Sequence, residues 1–190
     1  MRRRLNKDFF KRSTLKVAKE LLGKYIVRKL GRRKLVGKIV ETEAYIGPKD
    51  KASHAYLGKI TSRNITEYLE GGHIYIYLCY GVWWQLNITT QKEGKPECVL
   101  IRALEPLDKK ARRKKIASGP GKLCRWLKLD KSFNGEDLTK SKRIWIEDRG
   151  ENIKKEDIIA TKRIGIEYAQ EWAKKPWRFY IKGNEFVSRK

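Results

Sequence analysis

Between Val40 and His54 the chain carries Glu41, Glu43, Tyr45, Asp50 and His54 in one short stretch. Side chains alternate faces along an extended strand, so a strand from Ile39 to Tyr45 puts Glu41, Glu43 and Tyr45 on one face, ahead of the Gly47-Pro48 loop. A carboxylate beside a flat ring suits an enzyme that holds a planar substrate and activates a water against it. An edge strand with solvated glutamates shows the same pattern. So does a metal-dependent nuclease built on Glu41, Glu43 and Asp50. The rest of the chain has to separate these readings.

A second concentration of chemistry lies between His73 and Asn87, read as two strands joined at a tight turn around Tyr80-Gly81. Alternation groups Tyr75 with Tyr77, opposite Ile74, Ile76 and Leu78. Tyr80 then projects from the tip, where an exposed ring can wedge between bases. Aromatics also favour strands simply for packing, which is the preferred reading of Trp83 and Trp84. Further on, Lys109, Lys110, Arg112, Arg113, Lys114 and Lys115 form a dense basic run that either tracks a phosphate backbone or is a solvated helix face. Ser118-Gly119-Pro120-Gly121-Lys122 is a Gly-rich helix entry whose free N–H groups suit a phosphate. It lacks the G-x-x-x-x-G-K-[ST] spacing of a nucleotide-binding P-loop.

These groups need a scaffold, and 190 residues are enough for one domain with a full core. No repeat or long linker divides it, so residues 1–190 are read as one domain. Helical spacing of Leu15, Val17, Ala18, Leu21 and Leu22 predicts a helix opened by Ser13 or Thr14 and closed by Gly23. Strand-like segments follow at 25–30, 35–45, 74–78, 83–89 and 99–104, with further short strands at 143–146, 162–166 and 179–182. Helices are expected at 107–117 and 120–129, the latter with Pro120 in its first turn. Consecutive strands with few helices between them predict an α+β fold with an antiparallel-rich sheet.

With 46 Lys and Arg against 22 Asp and Glu, the net charge of +24 favours a polyanionic partner, nucleic acid before a membrane surface. The basic start at Arg2-Arg3-Arg4 has no apolar stretch behind it, and Ile74–Trp84 is too short to span a bilayer. An intracellular protein is therefore expected, with no signal peptide or transmembrane segment. Cys79, Cys98 and Cys124 are widely spaced, and only two histidines are present, so neither disulfides nor a zinc site is expected.

Taken in order, these blocks resemble the alkyladenine DNA glycosylases, also called 3-methyladenine DNA glycosylases. The blocks are Leu21-Leu22-Gly23, Val40 through Pro48, Asp50 with Ala52 and His54, Arg63-Asn64, and Tyr75 through Gly81. They continue through Asn87-Ile88, Val99 through Pro106, Ser118 through Cys124, Glu171-Trp172-Ala173 and Pro176 through Tyr180. The resemblance implies a base-excision-repair enzyme that flips an alkylated or deaminated purine from duplex DNA and hydrolyses its N-glycosidic bond, with no metal or organic cofactor. It implies Glu43 as the general base and Arg102 as the residue positioning water and nucleotide. Tyr45, His54 and Tyr77 would clamp the extruded base, Asn87 would crowd the amine of normal guanine, and Tyr80 would fill the gap in the duplex. The fold expected with it is a curved sheet flanked by helices with a protruding hairpin that inserts into DNA. Lys109, Lys110, Arg112, Arg113 and Lys122 are candidate backbone contacts of an enzyme expected to act as a monomer.

An alkylated purine can carry positive charge, and rings on either side of it then add a cation–π contribution of roughly 1–2 kcal/mol. Damaged bases also cost less to unstack. The chain departs from the family pattern at Ile65-Thr66-Glu67-Tyr68, in the shorter segment between Pro106 and Ser118, and at Val82. These departures bear on substrate range. The remaining rival is a non-catalytic nucleic-acid-binding module, such as an RNA- or ribosome-associated protein, which gives Glu43 no role.

Overall fold

The organising element is a long strand, β3 (Arg33–Ile46), which pairs along its first part with β2 (Tyr25–Leu30) and along its second with β9 (Arg178–Ile181). The computed structural model describes residues 2–113 and 115–189. On the other side of β3 runs β6 (Glu97–Pro106), buried along its whole length. Outside β6 lie β5 (Trp83–Thr89) and β4 (Ile74–Cys79), the two arms of the ring-rich hairpin. β7 (Ile144–Asp148) pairs with β2 and with the short β1 (Arg3–Arg4), and β8 (Ile158–Thr161) pairs with β9. Among the described residues the result is one open nine-stranded sheet, antiparallel at every pairing, in an α+β domain.

Among the described residues four short helices cover it: α1 (Lys7–Phe10), α2 (Thr14–Glu20), α3 (Lys109–Arg113) and α4 (Pro120–Leu127). Helix α2 buries Val17 and Ala18 against β3 and β6, and the Thr42 hydroxyl donates to the Ala18 carbonyl at 2.9 Å. Helix α4 buries Leu123, Cys124 and Leu127 against β5 and β6. A Cβ at Gly121 would stand 2.6 Å from the Trp83 ring, so a glycine is what lets this helix approach the hairpin base.

Paired irregularities shape the centre. From Ile39 opposite Leu104 the register passes to Glu41 opposite Ala103 and then to Thr42 opposite Ile101, leaving Val40 and Arg102 as extra residues on facing strands. Such bulges re-aim side chains and increase twist. Leu35 and Ile39 belong to the main core, as does Ala44, whereas Val40 joins Ala103 and Phe186 in a separate small cluster. The core-facing positions thus pass from odd to even numbers at the bulge, and Glu41, Glu43 and Tyr45 turn to the face away from α2.

Two expected elements differ. The helix expected at 107–117 survives only as α3, where only Ala111 is buried and closely spaced like charges disfavour a longer helix. Lys114 lies outside the described residues. The strand expected at 162–166 does not form; β8 lies just before it. Gly165 has a φ of 74°, and the Ile164 N–H goes to the Glu43 carboxylate at 2.9 Å instead of a ladder.

Candidate active site

Glu43 is fully buried at the centre of a polar network. Its Oε1 accepts the Ile164 N–H at 2.9 Å and lies 3.3 Å from Arg102 Nη1, while Oε2 accepts the Tyr45 hydroxyl at 2.9 Å. An ionised carboxylate has about four acceptor positions. Two are taken by hydrogen bonds and Arg102 stands against Oε1, which leaves the open position on Oε2, the oxygen bonded to the pocket tyrosine. Arg102, re-aimed by its bulge, also donates from Nε to Glu41 Oε1 at 3.1 Å. Burial opposes the Arg102 charge, but Glu43 and Glu41 together hold its guanidinium protonated more firmly than usual.

Glu41 is differently placed although it lies on the same strand face. It accepts Arg102, Arg178 at 2.8 Å and the Ser188 N–H at 2.7 Å, and is fully buried. This is a clamp that ties the C-terminal segment to β3. Asp50 is similarly committed: its oxygens face the Arg163 guanidinium at 2.5 and 2.8 Å and also accept the N–H groups of Ala52 and Ile46. Among the described residues no group of three or more His, Cys, Asp or Glu is arranged to hold a metal ion. Glu41 and Asp50, two of the three carboxylates of a nuclease centre, are instead held by arginines and backbone N–H groups.

Beside Glu43 lies a small cavity of about 20 Å³ lined by Tyr45, His54, Tyr77 and Asn87 together with Glu67, Tyr75 and Cys98. The His54 and Tyr77 rings meet edge to face with centroids 4.6 Å apart, and His54 Nδ1 shares a hydrogen bond with the Tyr75 hydroxyl at 2.6 Å. Burial, helped by the nearby Arg63 charge, lowers the His54 pKa to about 4, so the imidazole is neutral near pH 7. Burial likewise raises the Tyr45 and Tyr77 hydroxyls, with the Glu43 carboxylate adding to the effect. Asn87 donates its amide N–H groups to the Tyr75 and Gln85 carbonyls, both at 3.2 Å, which fixes the orientation of its Oδ1. All four sequence-expected pocket residues therefore meet at one cavity, next to the Glu43–Arg102 pair. A groove of about 1250 Å³ lies elsewhere, between α2 and the 148–160 segment, and contains none of these groups.

The sequence model of the methylpurine-DNA glycosylase family matches residues 8–185, which takes in every one of these side chains. The chain belongs to the methylpurine-DNA glycosylase family. Among similar curated proteins, one from Natranaerobius thermophilus is 42% identical over 97% of this chain and 98% of its own length. Others from Clostridium novyi and Methanocella arvoryzae are both 45% identical, over 99% and 98% of this chain and 100% and 96% of theirs. All three carry the name "Putative 3-methyladenine DNA glycosylase". Membership makes the protein a DNA glycosylase for alkylated bases, a hydrolase of base excision repair whose substrate is DNA.

In this glycosylase Tyr80 occupies the hairpin tip, 91% exposed and with a φ of 50°, beside the exposed Val82. Trp83, read as packed, is only partly so: one side meets α4 and the Arg125 guanidinium lies 4.5 Å from its ring centre, while 36% of its surface stays open. Lys109, Lys110, Arg113 and Lys122 are exposed. Arg112 is engaged with Glu105 and stacks 5.2 Å from the Phe186 ring centre. No helix among the described residues is long and apolar enough to cross a membrane.

Sequence reasoning gives no role to three residues that the structure places around the pocket. Arg163 holds Asp50 and stands over the Tyr45 ring at 4.6 Å, supporting the pocket wall from behind. Its only signal was a lone arginine in a segment read as a strand. Asn64 donates to the His54 and Lys59 carbonyls and so shapes the histidine loop. Glu67 reaches the cavity from the 3-10 turn Ile65–Tyr68, where the family departure had been noted without a role.

Proposed function

We propose that this enzyme is a monofunctional glycosylase that flips a damaged purine from the duplex and hydrolyses its N-glycosidic bond with a water activated by Glu43. The observation that carries the reading is the open acceptor position on Glu43 Oε2, shared with the hydroxyl of an aromatic pocket residue. The water oxygen bonds to C1′ as the C1′–N bond breaks. The glycosidic electron pair leaves with the base, neutralising it when it is a cation, and the water proton passes to Glu43. Arg102 and the Ile164 N–H both hold Oε1, which keeps the carboxylate in orientation with Oε2 toward the water. No metal or organic cofactor enters this scheme.

Tyr45 on one side and His54 with Tyr77 on the other clamp the flipped base, and a neutral His54 avoids repelling a cationic one. A cavity of about 20 Å³ has room for roughly one water, so its walls part to admit a purine. Tyr80 fills the space the base leaves in the stack. Lys109, Lys110, Arg113 and Lys122 lie free to follow the backbone, while Arg112 would have to leave Glu105 to join them. The enzyme acts as a monomer.

Incubation of dimethyl-sulfate-treated duplex, and separately of an inosine-containing duplex, with the enzyme in EDTA, followed by chromatography of the supernatant, tests this reading. Free methylated purine with an unnicked backbone is the expected result. Strand cleavage abolished by EDTA, or tight binding without release of methylpurine or hypoxanthine, would overturn it.

A further inference from the structure

Glu67 is buried, with 1% of its surface exposed, yet one of its oxygens has no partner. Its Oε1 accepts the Cys98 thiol at 3.2 Å, and Oε2 makes no hydrogen bond in a side chain that lines the base cavity. An unsatisfied buried carboxyl oxygen is costly to keep. Several neighbouring polar groups in the cavity are occupied: the Asn87 amide N–H groups by backbone carbonyls, His54 Nδ1 by the Tyr75 hydroxyl, and the Tyr45 hydroxyl by Glu43. The cations around it are engaged as well, Arg163 by Asp50, Arg102 by Glu41 and Glu43, and Arg63 by the Leu78 carbonyl and the Tyr77 ring. Glu67 alone among these carboxylates has no cationic partner among the described residues.

We infer that Glu67 is a specificity-determining residue, whose free oxygen pairs with a flipped purine that carries positive charge and so favours N-alkylated purines over neutral damaged bases. The inference rests on the glycosylase reading above. A cationic base supplies both the missing hydrogen-bond partner and the missing countercharge. A neutral base supplies at most the first, and leaves a carboxylate buried without compensation.

The carboxyl responds to pH in the useful range. Burial, partly offset by the Cys98 thiol, raises its pKa to about 7. The groups facing it do not titrate there: burial holds the Cys98, Tyr45, Tyr75 and Tyr77 protons well above this range, and His54 loses its own near 4. Asp50, whose charge also reaches Glu67, is held in its ion pair with Arg163. As pH rises from 6 to 8, Glu67 ionises and preference for the cationic base grows.

The test is single-turnover release of 3-methyladenine from methylated duplex and of hypoxanthine from an inosine-containing duplex, at pH 6 and pH 8. It compares wild type with Glu67→Gln and Glu67→Met, two neutral replacements of which either suffices if the other does not fold. At pH 8 the ratio of the two rates should fall about ten-fold or more in the variants, the scale of one lost charged hydrogen bond. The rise of the ratio with pH should be smaller in the variants than in wild type. Release of both bases with the same ratio and pH dependence in all three proteins would overturn the role of Glu67 alone. Release of neither base by wild type would overturn the glycosylase reading and this inference with it.

Discussion

At the scale of single residues, the site is a set of buried carboxylates kept apart by what pairs with each. Glu41 and Asp50 are satisfied by arginines and backbone N–H groups, Glu43 retains one open position, and Glu67 retains a whole oxygen. Arg102 serves two of the four, so Arg102→Met should leave Glu41 and Glu43 undercompensated and cost about 3–5 kcal/mol in urea unfolding. Glu67 gives a pH-dependent prediction. Its folded pKa, about 7, lies above the ordinary carboxylate value, so the fold prefers the neutral form. That contribution is fully present below the unfolded pKa and is lost as pH rises through 7. Glu67→Gln should therefore stabilise the free protein more at pH 8 than at pH 5, by on the order of 2 kcal/mol, read from melting temperatures at the two pH values. Equal effects at both would mean the carboxyl is not held neutral.

At the scale of elements, the bulge pair in β3 and β6 turns Arg102 toward the glutamates. Alternation along β3 correctly grouped Glu41, Glu43 and Tyr45, because that stretch begins after its bulge. The same reasoning could not foresee Arg102's contacts, since the register shift depends on both strands together. The hairpin was legible almost to the residue, its apolar and ring positions alternating cleanly up to the exposed Tyr80. The 107–117 helix and the 162–166 strand were not. In both, local spacing suggested a longer element than tertiary bonding allows, with Ala117 drawn to β6 and Ile164 to Glu43. Close approach of α4 to the hairpin yields its own prediction. Gly121→Ala sets a methyl 2.6 Å from the Trp83 ring and should destabilise the protein by about 1–3 kcal/mol in thermal unfolding.

At the scale of the whole molecule, the proposed function sets a net charge of +24 and an exposed aromatic tip to act together on DNA. Affinity for duplex should fall on the order of 10³-fold between 50 and 200 mM salt, as when several phosphates are neutralised; a flat response would argue against backbone tracking. Tyr80→Ala should weaken lesion-duplex binding by roughly 1–3 kcal/mol while leaving the melting temperature unchanged, because the ring touches solvent and not the core. The measurement that bears most directly on the account pairs single-turnover base release with equilibrium binding, both on the same methylated duplex, for wild type and Glu43→Gln. The account predicts release slowed about 10²–10⁴-fold with binding retained. Unchanged release by a folded Glu43→Gln variant would contradict it and remove Glu43 from the chemistry.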